Sequence, residues 1–126
     1  MIPTQLINEV EALRQEGLHL TLTDADGMAN IRIAAHPIPC PPFSKPVTEL
    51  LLRLPLSYPN GKPDMFWTDE DLVFKDGKVP SGADSIEAHL GKRWRRFSWH
   101  LKAWNPGIDN LRTYIEFVNS RFARKE

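Results

Sequence analysis

Leu6, Val10 and Leu13 recur at helical spacing near the start of the chain, with Glu9, Glu11 and Arg14 between them. One apolar stripe on a charged background predicts an amphipathic helix. Thr4 is placed to cap its start and Gly17 to end it in the left-handed region. The period then changes to two. Leu18, Leu20 and Leu22 alternate with His19, Thr21 and Thr23, the mark of a half-buried strand. Residues 24–27, Asp-Ala-Asp-Gly, form a turn, and Ala29, Ile31 and Ile33 alternating with Asn30 and Arg32 give the return strand of a hairpin. A proline-rich loop at 36–43 separates this hairpin from a third strand at 48–54. That strand is almost wholly leucine, which predicts a central position or cover on both faces.

Residues 54–67, Leu-Pro-Leu-Ser-Tyr-Pro-Asn-Gly-Lys-Pro-Asp-Met-Phe-Trp, are the most distinctive stretch. Pro55, Pro59 and Pro63 each fix φ and remove an amide donor, so the chain leaves the ladder here. It crosses by a stiff detour to a short fourth strand at 65–67. Residues 69–84 are polar and rich in turn signals, among them Asp76-Gly77 and Pro80-Ser81-Gly82. Residues 85–101 mix aromatic and basic side chains and read as an irregular segment with short helices. Ile108, Leu111, Ile115, Val118 and Phe122 then mark a closing amphipathic helix, with Asn105 as its cap and Pro106 at its first position. Helix, four-stranded antiparallel meander, irregular segment and helix make an α+β domain spanning residues 1–126.

Composition narrows the function classes. Sixteen Lys and Arg balance sixteen Asp and Glu, so the whole-chain field favours neither nucleic acid nor an anionic membrane. No apolar run approaches the ~20 residues of a membrane span, and the first residues lack a basic stretch followed by an apolar one, so no secretory signal is read. Cys40 is the single cysteine, which rules out an intrachain disulfide and points to the cytoplasm. His36 and His89 have no partners at metal-ligand spacing, and the seven glycines are scattered singly rather than gathered in a phosphate loop. Neither a metal nor a cofactor is expected.

Two anchors and the element order resemble the ubiquitin-conjugating enzyme superfamily. The apolar strand followed by Pro55, Tyr58-Pro59 and Pro63 is similar to that family's proline-terminated strand, its Tyr-Pro and the proline before the next strand. Trp104-Asn105-Pro106 is similar to the Trp-Ser-Pro that opens the family's second main helix. An N-terminal helix followed by a hairpin completes the match. Pro63 to Trp67 and Trp94 to His100 resemble segments of a bacterial branch. Members of that branch tend to be encoded beside ubiquitin-like proteins, an adenylating activating enzyme and a JAB-type metalloprotease, in operons that sometimes resemble antiviral defence systems. The resemblance therefore implies those three as partners.

The resemblance fails where the chemistry should be. The family's cysteine lies between the fourth strand and the tryptophan-proline helix, and this chain has no cysteine between Trp67 and Trp104. The family's His-Pro-Asn is missing from that interval as well. Cys40 lies on the connection between the second and third strands, where it reads as a small residue in a rigid loop. The candidate groups that remain are Ser81, Ser98 and His100. Ser81 is near the expected place counting forward from Tyr58-Pro59, and Ser98 is near it counting back from Trp104. A serine hydroxyl needs a base to take its proton. His100, two residues from Ser98, is a candidate for that base or for poising an incoming amine. The plainer reading is that these side chains satisfy backbone groups in an irregular segment.

Residues 92–100, Lys-Arg-Trp-Arg-Arg-Phe-Ser-Trp-His, form the one strong charge cluster. Arg93, Trp94, Arg96 and Trp99 are candidate anchors for a protein partner. Stacking on nucleic-acid bases is a further option that the neutral balance disfavours. Three functions follow: a conjugating-type enzyme with a non-cysteine active site, an inactive binding module for a ubiquitin-like protein or its activating enzyme, and a nucleic-acid binder.

Overall fold

A computed structural model describes residues 1–124; the last two residues of the expected 1–126 domain lie outside the described residues. Helix α1 (Thr4–Gln15) is followed by strands β1 (Leu20–Ala25), β2 (Met28–Pro37), β3 (Val47–Pro55), β4 (Phe66–Asp69), β5 (Ser85–His89) and β6 (Lys92–Phe97), then by helix α2 (Leu111–Phe122). The strands form one antiparallel sheet in the order β1-β2-β3-β4-β6-β5. This is the α+β arrangement that the resemblance implies, with six strands where the sequence predicts four.

The elements start and stop for local reasons. α1 has Pro3 at its N-cap and no side-chain cap, so Thr4 does not take the capping role. Gly17 does end it: φ is +101°, and the Gly17 and Leu18 amides donate to Arg14 and Leu13 carbonyls in a Schellman pattern. Asp26 and Gly27 both have positive φ, which gives the β1–β2 hairpin the primed turn that matches strand twist. β2 carries a bulge between Ile33 and His36, with Ala35 at φ +52°. The bulge re-aims the strand, so His36 is turned inward and buried, and it hydrogen-bonds Asn119 on α2 at 2.7 Å.

The helices share one side of the sheet. Leu6, Val10 and Leu13 of α1 and Leu111, Ile115, Val118 and Phe122 of α2 join Ile31, Leu50, Leu52, Leu54, Phe66 and Phe97 in one core. At the end of that core Phe122 meets Phe43, Phe66 and Phe97 at ring distances of 5.5, 5.2 and 5.8 Å. The other face of the sheet buries Leu51, Trp67 and Trp94. β3 is therefore covered on both sides, as its leucine run predicts. No helix among the described residues is long and apolar enough to cross a membrane.

Two expectations are corrected. Residues 85–97 are a hairpin, not short helices, and its turn places Leu90 at φ +54° and Gly91 at +73°. α2 begins at Leu111, where Asn110 and Thr113 form a reciprocal capping box. Asn105 caps only a single turn: its side chain accepts from the Gly107 amide, and its carbonyl accepts from Ile108 and Asp109.

Buried His36 makes stability depend on pH. Burial pushes its imidazole pKa below the ordinary value, and the Asn119 hydrogen bond only partly offsets that. The unfolded chain then binds a proton that the folded one refuses. This stabilisation is complete above about pH 6.5 and is lost as the pH falls toward the folded-state value. The melting temperature is expected to drop between pH 7 and pH 5. A His36→Gln variant should show a smaller drop, and an equal drop would assign the effect elsewhere.

Candidate functional site

The two sequence anchors meet in space. The Trp104 indole N–H donates to the Pro59 carbonyl at 2.7 Å, and its ring lies 6.1 Å from that of Tyr58. Tyr58 in turn donates to Glu9 of α1 at 2.5 Å, and the same carboxylate oxygen accepts from the Leu111 amide at the start of α2. Burial, then the Glu9 carboxylate, pushes the Tyr58 phenol far up, so it stays a donor. The proline detour and the tryptophan turn are thereby fixed to both helices.

Within that frame the chain folds back on itself at two clamps. The first joins residues 81–82 to residues 98–99: the Ser98 amide donates to the Gly82 carbonyl at 2.9 Å and the Trp99 indole to the Ser81 carbonyl at 2.7 Å. A Cβ on Gly82 would come within 3.2 Å of the Trp99 indole nitrogen, and φ there is +77°, so glycine permits the approach. Ser81 and Ser98, found by counting from opposite ends of the interval, thus lie at the same place in the fold. Neither is paired with a base. Ser98 Oγ accepts from Arg96 Nε at 3.1 Å, and Ser81 is an exposed turn residue.

The second clamp joins residues 64–65 to His100. His100 Nδ1 lies 2.6 Å from Asp64 Oδ1, with the two side chains 57% and 43% exposed. His100 is therefore directed at a carboxylate 36 positions away and not at Ser98. Asp64 was missed in the sequence because Pro63-Asp64 reads as ordinary turn chemistry and no spacing connects it to His100. A carboxylate on Nδ1 holds the neutral ring in the tautomer whose Nε2 bears the lone pair. An exposed Nε2 of that kind can take a proton or accept an acyl group.

The charge cluster is neutralised from within. Arg93 pairs with Glu70 at 2.8 Å and Arg96 with Glu87 at 2.6 Å. Arg95 donates to the Glu70 and Ala83 carbonyls. Lys92 bridges Glu49 and Asp69 at 2.7 and 2.6 Å and sits over the Trp94 ring. Burial pushes the Asp69 carboxyl up, but hydrogen bonds from Lys45, Lys92 and the Glu49 amide outweigh it and hold it down at about 2. Trp94 is fully buried and Trp99 is 6% exposed. Of the four candidate partner anchors, Arg93 is exposed and Arg96 part-exposed, while both tryptophans face inward. Among the described residues of this stretch, the cations are thus paired or hydrogen-bonded and both tryptophans are buried.

Cys40 is exposed, and its loop leans on the segment after β4. The Lys75 amide donates to the Pro42 carbonyl, the Ser44 amide to Val73, and Phe43 bridges to Phe74. Among the described residues, no group of three or more His, Cys, Asp and Glu side chains is placed to hold a metal ion.

A protein-family model described as Prokaryotic E2 family E matches residues 6–125. No curated protein and no solved structure matches the chain.

Proposed function

The chain belongs to the prokaryotic E2 family E, and from that premise we propose that it is a component of a bacterial ubiquitin-like protein conjugation system whose chemistry is carried by His100 instead of a thiol. Its partners are then a ubiquitin-like protein and the adenylating enzyme that activates it. A JAB-type protease encoded alongside would reverse the modification. One observation carries the reading. Between β4 and Trp104, where the superfamily keeps its cysteine, His100 is an exposed basic side chain oriented by a carboxylate.

Histidine suits the task. Its imidazole is a nucleophile near neutral pH and also a good leaving group, so it can accept an acyl group and hand it to an amine. A serine ester would hold the acyl group more tightly, and neither serine here is paired with a base. The exposure of His100 leaves room for the extended C-terminus of a modifier and for an incoming lysine.

Incubating the protein with the activating enzyme, the ubiquitin-like protein and Mg-ATP tests this reading. It is expected to yield a covalent adduct that hydroxylamine removes. A Cys40→Ser variant should form the same adduct. If the activating enzyme charges its modifier and no adduct appears, the protein is a binding module for these partners and the catalytic reading is overturned.

A further inference from the structure

We infer that Asp64 is the positioning residue of this site, holding the proton of His100 on Nδ1 so that Nε2 is the atom that accepts an acyl group. The inference rests on the reading of His100 given above and adds the residue and the atom.

An ion pair between exposed side chains is usually worth little, but this one is built from the backbone outward on both sides. On the Asp64 side, the next residue, Met65, has φ +59°. A non-glycine residue in that region is strained, and strain of this kind persists only where surrounding contacts hold it. Here the Tyr114 hydroxyl of α2 donates to the Met65 carbonyl. Burial, and then the negative charge of Asp64, pushes the Tyr114 phenol far up, so that donor never ionises. Pro63 is buried on the other side of Asp64. On the His100 side, the neighbouring Trp99 is locked by its bond to Ser81 and by edge contacts with Phe66 and Phe97 at 5.6 and 5.0 Å. Two anchored segments therefore present two side chains to each other at 2.6 Å. Met65 also packs against the buried Leu51, Trp67 and Trp94, so the core holds the strained turn and Asp64 is presented at its edge.

The chemistry balances without a metal or an oxidant. Nε2 attacks the carbonyl carbon of an acyl adenylate or acyl thioester. The new N–C bond forms, the bond to adenylate or thiolate breaks, and the leaving group departs with its electron pair. The ring is then cationic, and its Nδ1–H is stabilised by the Asp64 carboxylate. A primary amine next attacks the same carbon and the N–C bond to Nε2 breaks. The imidazole leaves with the electron pair, and the amine's surplus proton passes to Nε2 and then to water.

Two readouts on the intact protein test this without any partner. The first is the tautomer of each histidine by nitrogen NMR above the imidazole titration range. The second is the rate at which diethyl pyrocarbonate acylates each histidine, mapped by mass spectrometry. His19 is exposed and serves as the internal reference. His100 is expected in the Nδ1–H form and to be acylated about tenfold faster than His19, the share of one charge-assisted hydrogen bond. In Asp64→Ala the ring should revert to the Nε2–H form common in unconstrained histidine, and the rate ratio should fall toward one. In Asp64→Asn, whose amide can donate where the carboxylate only accepts, the Nδ1–H form should no longer be enforced and the ratio should fall. An Nε2–H ring in the native protein, or a ratio indifferent to both substitutions, overturns the assignment. Because neither readout uses the activating enzyme, an intact dyad with no modifier adduct would count against the proposed function alone.

Discussion

A His100→Ala variant is expected to lose transfer of the modifier to an amine by about 10²–10⁴-fold, the usual weight of a positioned acid-base or nucleophilic group. The loss should not come from unfolding. The His100 side chain is 57% exposed and is held by a surface carboxylate, so the variant's stability should stay within about 0.5 kcal/mol of the native value. Binding of the modifier, measured separately, should survive. Cys40→Ser should leave transfer unchanged, because Cys40 sits in the β2–β3 connection and not in the interval that holds His100. Ser98→Ala should cost little, since the Ser98 hydroxyl accepts only from Arg96, which Glu87 also holds. Single-turnover transfer to free lysine checks all three. Native rates in His100→Ala would place the chemistry elsewhere.

The largest expected effect on the fold belongs to Phe122. It is 1% exposed and touches rings from the β2–β3 loop, β4 and β6. It is also the last residue of α2, so it fastens the end of that helix to the sheet. Phe122→Ala removes those contacts and leaves a cavity that rigid aromatic neighbours fill poorly, at a cost of about 3–5 kcal/mol. Against a total of about 5–15 kcal/mol for a domain, that takes a large share of the stability. The urea midpoint should fall sharply with little change in slope. Ile7→Ala on the exposed side of α1, where the side chain is 46% exposed, should change stability by less than about 0.5 kcal/mol. Similar midpoints for the two variants would contradict the packing described for α2.

The parts of the fold that sequence reasoning recovered are those with strong periodicity and ordinary turn chemistry. α1, the Asp26-Gly27 hairpin, the leucine strand β3 and the apolar stripe of α2 all announce themselves. β5 and β6 do not. Their outward positions carry Glu87, His89, Lys92 and Arg96, and the inward positions of β6 include Arg95 beside Phe97. The period of two is hidden because charges occupy both faces, and it is their mutual pairing that lets them sit on a sheet. The hairpin turn is Leu90-Gly91, with a leucine where asparagine or aspartate normally signals positive φ. Asn105-Pro106 is a sound helix opening in isolation and predicts a start for α2 five residues before Leu111. The turn it caps stops after Asp109, and Asn110 opens the true helix.

The site divides in the same way. Its scaffold was legible because Tyr58-Pro59 and Trp104 are chemically distinctive, and they contact each other as an enclosing frame should. His100 stood out as the one histidine in the interval near a serine. Its partner did not, because Asp64 reaches it only through the antiparallel return of β6 past β4 and the strained backbone at Met65. The basic-aromatic stretch 92–100 was misleading in one respect. Its cations look available along the sequence, yet the acids that pair with them come from β3, the β4 end and β5.

The position at which the modifier becomes attached distinguishes His100 from every other candidate acyl acceptor. Charging the protein with its activating enzyme, modifier and Mg-ATP, quenching in the cold near neutral pH and mapping the adduct promptly by tandem mass spectrometry gives that position. The modifier's C-terminal acyl group is predicted on the His100 imidazole. Its presence on Cys40, Ser81 or Ser98, with His100 unmodified, would contradict the account.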